Sequence, residues 1–209
     1  MKAENFFTDS EQADIAAAIS EVEKKTAGEL AVMVVDRSDT YPEGNILAGL
    51  IIGGLLSLII TQLYFADSLT YFMIFFTGFI LCIGWLANYL PDLKRIFISK
   101  NRLSEMVREQ AVQAFYQKEL YKTRDATAVF FFISLYERKL WILADKGINS
   151  KISPDELQTY AGDMAAGIRK GRAAEAICSK ITRIGEVLAE HFPARDDDVD
   201  ELSNQVMVG

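Results

Sequence analysis

The stretch RDDDVDEL near the C-terminus sets Asp196, Asp197, Asp198, Asp200 and Glu201 close together. Hard cations such as calcium take several carboxylate oxygens at once, so oxygen-ligand chemistry is sought here first. Asp196, Asp198 and Asp200 repeat the spacing of the first three ligands of an EF-hand loop, and there the match ends. Glu201 stands where that loop requires glycine, and Met207 where it requires a bidentate glutamate. A solvated acidic tail is the other reading of the same residues.

Most other chemistries lack their parts. The chain has no G-x-S-x-G, no Walker A, no G-x-G-x-x-G and no C-x-x-C. Its single histidine, His191, falls at the end of a predicted helix, where an imidazolium complements the helix dipole. Of the two cysteines, Cys178 has the spacing of a buried helix face, and Cys82 lies in an apolar run far from it. The pair is therefore read as two free thiols, Cys178 as an inert packed one, and zinc would lack its usual ligands. A formal charge of −7 and a pI near 4.9 argue against binding a nucleic-acid backbone, which requires a basic face.

The elements that must position these residues divide into two kinds. Charged residues make up 24% of the 209, yet the mean hydropathy is positive at +0.11, because the apolar residues are concentrated in one block. From Ile46 to Leu90 the only charged side chain is Asp67. Two charge-free runs, 46–65 and 69–90, are each long enough for about 30 Å of helix, the hydrocarbon thickness of a bilayer. This predicts a transmembrane helical hairpin over 45–91 with its tip at Asp67 and Ser68. Tyr64, Phe65 and Tyr71 would be interfacial aromatics on that side, with Trp85 and Tyr89 on the other.

Basic residues orient it. The tip has none, whereas Lys94, Arg95, Lys100 and Arg102 follow the second run closely. The positive-inside bias then places both ends of the hairpin in the cytoplasm, and the N-terminus carries no signal-peptide pattern to oppose this. Gly49, Gly53 and Ser57 form a small face on the first helix, and Gly78 and Cys82 are expected to form one on the second. The spans carry no ionisable residue, so a transport path has no visible machinery.

The flanking segments 1–44 and 92–209 read together as one discontinuous α/β domain, a small mixed sheet flanked by helices. Thr8 and Glu11 have capping-box spacing before Ile15, Ile19 and Val22. LAVMVVD (30–36) has the apolar continuity of a strand buried on both faces. A helix with Leu103, Val107, Ala111, Ala114 and Phe115 inward follows the hairpin, then two strands around a turn at Glu137 to Lys139. Two helices complete the order, the first opened by Ser153, Pro154 and Glu156.

Three pieces of this chain, in this order, resemble the TPM domain family. They are FFTDSEQADIAAAISEVEKKTAGELAVMVV, AFYQKELYKTRDATAVFFFISLYERKLWILADKGI and IGEVLAEHFPARDDDVDEL. The specific motifs are T-x-G-E (Thr26, Gly28, Glu29), D-x-G-I (Asp145, Gly147, Ile148), H-F-P, and D-x-x-E-L at the end. The family includes thylakoid proteins of photosystem II repair, an animal receptor modulator and many bacterial membrane proteins. Family members with a signal peptide and a C-terminal anchor present the domain outside the cytoplasm, whereas the hairpin and the positive-inside signal of this chain place it on the cytoplasmic side of a bacterial inner membrane. The hairpin makes the lipid bilayer one expected partner, and the resemblance implies a LemA-like membrane protein as another.

By the same resemblance Glu29, Asp145, Asp198 and Glu201 are the carboxylates that would converge on a metal, calcium or magnesium. Two functions follow as expectations. One is an interaction or accessory module at the membrane; the other is a metal-dependent acid phosphatase, whose cation would polarise a phosphoryl oxygen and activate water. The sequence departs from the family pattern at TRDATAV, where Ala126, Thr127 and Ala128 replace a turn rich in Arg, Asn and Gly.

Overall fold

The computed structural model describes residues 2–66, 68–195 and 201–209. These form two compact units, one made of the chain up to Ser38 together with Ser104–Gly209, the other of Asp39–Leu103. The division falls further out than 44/45 and 91/92 because polar turns on both sides of the apolar helices pack with those helices.

In the first unit, helix α1 (Asp9–Glu23) opens with a complete capping box: Glu11 N–H donates to the Thr8 hydroxyl, and the Glu11 carboxylate accepts from Thr8 N–H. Strand β1 (Glu29–Val35) pairs in parallel with β2 (Ala128–Ser134), Glu29 opposite Ala128 and Val35 opposite Ser134. Strand β3 (Lys139–Ala144) turns back antiparallel on β2. A two-residue strand β4 (Met207–Val208) lies along the free edge of β1, giving the order β3-β2-β1-β4. The chain is thus a mixed α/β fold with a four-stranded sheet flanked by helices.

Alternation along the strands sends side chains to two cores. Leu30, Val32, Val34, Val129, Phe131 and Ile133 face α1, α7 (Pro154–Arg169) and α8 (Ala173–His191). Ala31, Met33, Val35, Phe130 and Phe132 face α5 (Lys100–Gln117) through Val107, Ala111, Ala114 and Phe115. Every residue of β1 and β2 is buried, the burial on both faces that their unbroken apolar runs predict. Parallel strands need a crossover, and α5 is that crossover; the second unit is inserted ahead of it, in the β1-to-α5 connection.

In the second unit, α2 (Pro42–Tyr64) and α3 (Leu69–Leu86) form an antiparallel pair followed by the short α4 (Pro91–Ile96). Gly49 and Gly53 allow the close approach: a Cβ on Gly49 would stand 2.7 Å from the Ile80 carbonyl oxygen, and one on Gly53 3.1 Å from Ile80 N. The small face of α2 is used for packing inside the hairpin. The expected small face of α3 is different. Gly78 has no neighbour within 4 Å of where its Cβ would be, and Cys82 is exposed, because Phe76, Phe79, Ile80 and Gly84 form the stripe that meets α2. Ser68 N–H bonds the Phe65 carbonyl across the connection, while Asp67, the expected tip, lies outside the described residues.

Replacing residues 39–103 by a short Gly/Ser linker should leave β1, α5 and β2 connected and yield a soluble domain that unfolds in one cooperative transition by circular dichroism. In that domain Phe131→Ala should lower the unfolding free energy by about 3–5 kcal/mol. An insoluble or non-cooperative product would show that the α/β unit does not stand alone.

Candidate functional site

The sequence motifs meet at one end of the sheet, where β1 and β2 begin and β3 ends. Glu29 opens β1 opposite Ala128, and Asp145 N–H donates to the Ala128 carbonyl at 2.9 Å. Glu29 and Asp145 therefore flank Ala128 in one cross-strand row, with backbones about 10 Å apart at ordinary strand spacing. The tail passes the same end: Glu201 and Leu202 donate their N–H groups to Glu29 Oε1 and Oε2 at 3.3 and 3.2 Å. Glu201 in turn accepts from Arg124 N–H at 2.9 Å, and Arg195 pairs with Asp125 at 3.0 Å.

Glu29, Asp145 and Glu201 are thus drawn to one end of the domain. Asp198 lies outside the described residues, with Asp196, Asp197 and Asp200. Each of the other three carboxylates accepts at least one backbone N–H. Glu29 is buried and clasps the tail, Asp145 caps α6 (Lys146–Asn149) by accepting from Lys146 N–H at 2.6 Å, and Glu201 fixes the loop before β2. Among the described residues, no group of three or more His, Cys, Asp and Glu side chains is arranged to hold a metal ion.

The motifs have structural work of their own. In T-x-G-E, the Thr26 hydroxyl donates to the Phe192 carbonyl at 2.6 Å and accepts from Gly28 N–H at 3.0 Å. Ala27 N–H also donates to Phe192 O, and Thr26 bridges Pro193, so T-x-G-E and H-F-P, distant in sequence, hold each other. In D-x-G-I, a Cβ on Gly147 would stand 2.7 Å from the Ala126 carbonyl oxygen and 2.9 Å from that of Asp125. Only glycine admits so close a backbone approach. Ala126 itself has φ of 55°, a left-handed conformation that explains why glycine or asparagine suits this turn better than alanine.

A second polar cluster, at the opposite end of the sheet, carries no sequence signal. Glu137, fully buried in the β2–β3 turn, accepts from Ser38 N–H at 2.9 Å and from the Ser134 hydroxyl, and Ser38 Oγ donates to Ser134 Oγ at 3.0 Å. With no imidazole in this relay, its hydroxyls lack the usual base of a serine nucleophile. Burial pushes the half-buried Cys178 thiol up from its ordinary value, and the nearby Asp14 carboxylate adds to the shift. Cys178 therefore stays protonated at neutral pH and is a poor nucleophile.

No family model matches the chain, and no curated protein is significantly similar to it. Its fold is similar to the NMR structure of the BA42 protein from the psychrophilic bacterium Bizionia argentinensis. The TM-score is 0.62 over 100% of this chain and 99% of that one, at 21% identity. Likeness at that identity concerns the fold alone.

Glu29→Ala removes the acceptor of two tail amides and should cost about 1–3 kcal/mol. Hydrogen exchange should quicken at Glu201, Leu202 and Met207–Gly209 while β2 and β3 keep their protection. Unchanged exchange in the tail would mean that edge pairing with β1, not the Glu29 clasp, holds it.

Proposed function

We propose that this chain is a membrane-anchored protein of the TPM type, whose α/β unit is held at the cytoplasmic face of a bacterial inner membrane as an interaction module. The observation that carries the reading is the surface of the hairpin. Leu55, Leu63 and Leu81 are each 60–69% exposed, and Ile46, Ile51, Leu58, Ile59 and Ile74 are exposed as well. A core helix of similar composition would be covered. In α3 no residue of the apolar stretch is buried, and in α2 the buried ones are chiefly Ala48, Gly49, Gly53, Ser57 and Thr61. Each large apolar side chain left in water forgoes about 1.5–3 kcal/mol, so this surface calls for an apolar solvent.

Two hydroxyls of the spans suit that solvent. The Ser57 hydroxyl donates to the Gly54 carbonyl at 3.0 Å and that of Thr77 to Met73 at 2.9 Å, local bonds available without water. The basic residues after α3 support the cytoplasmic orientation of both ends. Module is preferred to phosphatase because the carboxylates of Glu29 and Asp145 already serve backbone amides.

Two measurements test the reading. In inner-membrane vesicles the protein should resist extraction by carbonate. In a Cys82→Ala, Cys178→Ala background, Ser68→Cys should react with an impermeant maleimide only from the side opposite the α/β unit. Extraction by carbonate, or labelling from the cytoplasmic side, would remove the anchor or reverse it. Calorimetry on the detergent-solubilised protein should give no saturable heat with calcium or magnesium. Saturable binding that is lost in Asp198→Ala and Glu201→Ala would replace the module with a metal site and direct attention to phosphoryl transfer.

A further inference from the structure

Helix α4 stands apart among the elements of the second unit. It is short, it carries Leu93 and Ile96 beside Lys94 and Arg95, and Ile96 is 77% exposed, more than any large apolar side chain in α2 or α3. A single exposed isoleucine is ordinary on a protein surface. What matters here is its position along the hairpin.

Two contacts of Lys94 fix the level of α4, and a bond between Asn45 and Asn88 marks the same level beside it. The inner side of α4 packs on the first turn of α2, where a Cβ on Gly44 would stand 2.9 Å from Lys94 Cγ and 3.2 Å from Ile98 Cγ1. Lys94 is buried there, its ammonium donating to the Thr40 carbonyl at 2.5 Å. Asn45 Nδ2 donates to Asn88 Oδ1 at 2.7 Å, tying the start of α2 to the chain just past α3 at the same height. The charge-free run begins at Ile46, about 3 Å of helix beyond Gly44. α4 therefore sits at the edge of the apolar surface, where hydrocarbon gives way to headgroups.

The residues at that edge match the chemistry of the interface. Trp85 and Tyr89, both more than 60% exposed, meet edge to face at 5.0 Å, and Leu90 is exposed beside them. Tryptophan and tyrosine collect at headgroup depth because their rings are apolar with a polar handle. Glu43 and Asp39 bind the guanidinium of Arg102 at 3.3 and 3.2 Å, which offsets their negative charge at this end of the hairpin.

From these contacts we infer that α4 is an interfacial shelf: Ile96 rests where the headgroups of the cytoplasmic leaflet meet the first acyl carbons, at the same boundary as Trp85 and Tyr89. The occupant of this apolar surface is lipid. The inference rests on the membrane reading of the hairpin and adds a second, shallow contact to it.

The test uses the full chain in phosphatidylglycerol/phosphatidylethanolamine nanodiscs. In the Cys82→Ala, Cys178→Ala background, Ile96→Cys and Leu55→Cys are each labelled with an environment-sensitive fluorophore. Quenching is read with doxyl groups at shallow or deep acyl positions and with aqueous iodide. The Ile96→Cys probe should lose emission to the shallow doxyl lipid, more than to the deep one, and be shielded from iodide. The Leu55→Cys probe should lose emission chiefly to the deep doxyl. If the Leu55 probe behaves so while the Ile96 probe is quenched by iodide, the shelf is overturned and the anchor stands. An Ile96 probe shielded from iodide yet unmoved by either doxyl lipid would also overturn it, since protein and not lipid would then cover the site. Absence of doxyl quenching at both positions would overturn the membrane reading itself.

Discussion

The parallel pairing of β1 with β2 is the constraint on which the rest of the chain depends. Both strands are buried on both faces, so helices must cover each side, and the strands run the same way, so the chain must cross over between them. Helix α5 satisfies both needs at once, covering one face while carrying the chain back. Because the crossover is already long, an insertion ahead of α5 adds little loop-closure cost. The sheet tolerates a hairpin in that connection for the same reason that it tolerates α5.

How the insertion is received can be read at the far end of the sheet. Ser38, the last residue of the α/β unit before the hairpin, bonds to Ser134 and Glu137. Ser104, the first residue after it, accepts from Lys139 Nζ at 2.7 Å. Ser134 and Lys139 are cross-strand partners, so both attachment points belong to one row of the β2–β3 hairpin. The chain leaves and re-enters the domain at neighbouring places, and β1 and β2 need not be pulled apart to accommodate what lies between. Glu137 is buried here because its carboxylate organises the departure of the chain toward the hairpin, a role in positioning the backbone.

The larger elements were legible because their signals are local. Thr8 and Glu11, Ser153 and Pro154, and the apolar runs 30–36 and 46–65 each carry a cap or a periodicity that survives without tertiary context. What escaped depends on partners far along the chain. β4 is two residues long and exists only by lying on β1, and α6 is a single turn held by Asp145. Gly78 and Cys82 look like an interface by composition, but the phase of α3 is set by Phe76, Ile80 and Gly84. Likewise the carboxylates at 29, 145 and 201 could be listed from motifs, while their use as acceptors for amides at 201, 202, 146 and 124 could not.

That last contrast bears on how motifs in such domains should be read. Thr26, Gly28 and Glu29 look like the approach to a ligand site, yet Thr26 bonds Phe192, Gly28 lies against Leu188, and Glu29 bonds the tail. Each residue secures the C-terminal segment to the start of β1. Two anchors hold the described parts of this segment at the start of β1: Thr26 and Ala27 bond the Phe192 carbonyl, and Glu29 accepts from Glu201 and Leu202 N–H. Arg195, two residues after Pro193, adds a tie to the loop before β2 by pairing with Asp125 at 3.0 Å. Side chains that a motif reading would give to a ligand serve here to join two distant parts of one domain.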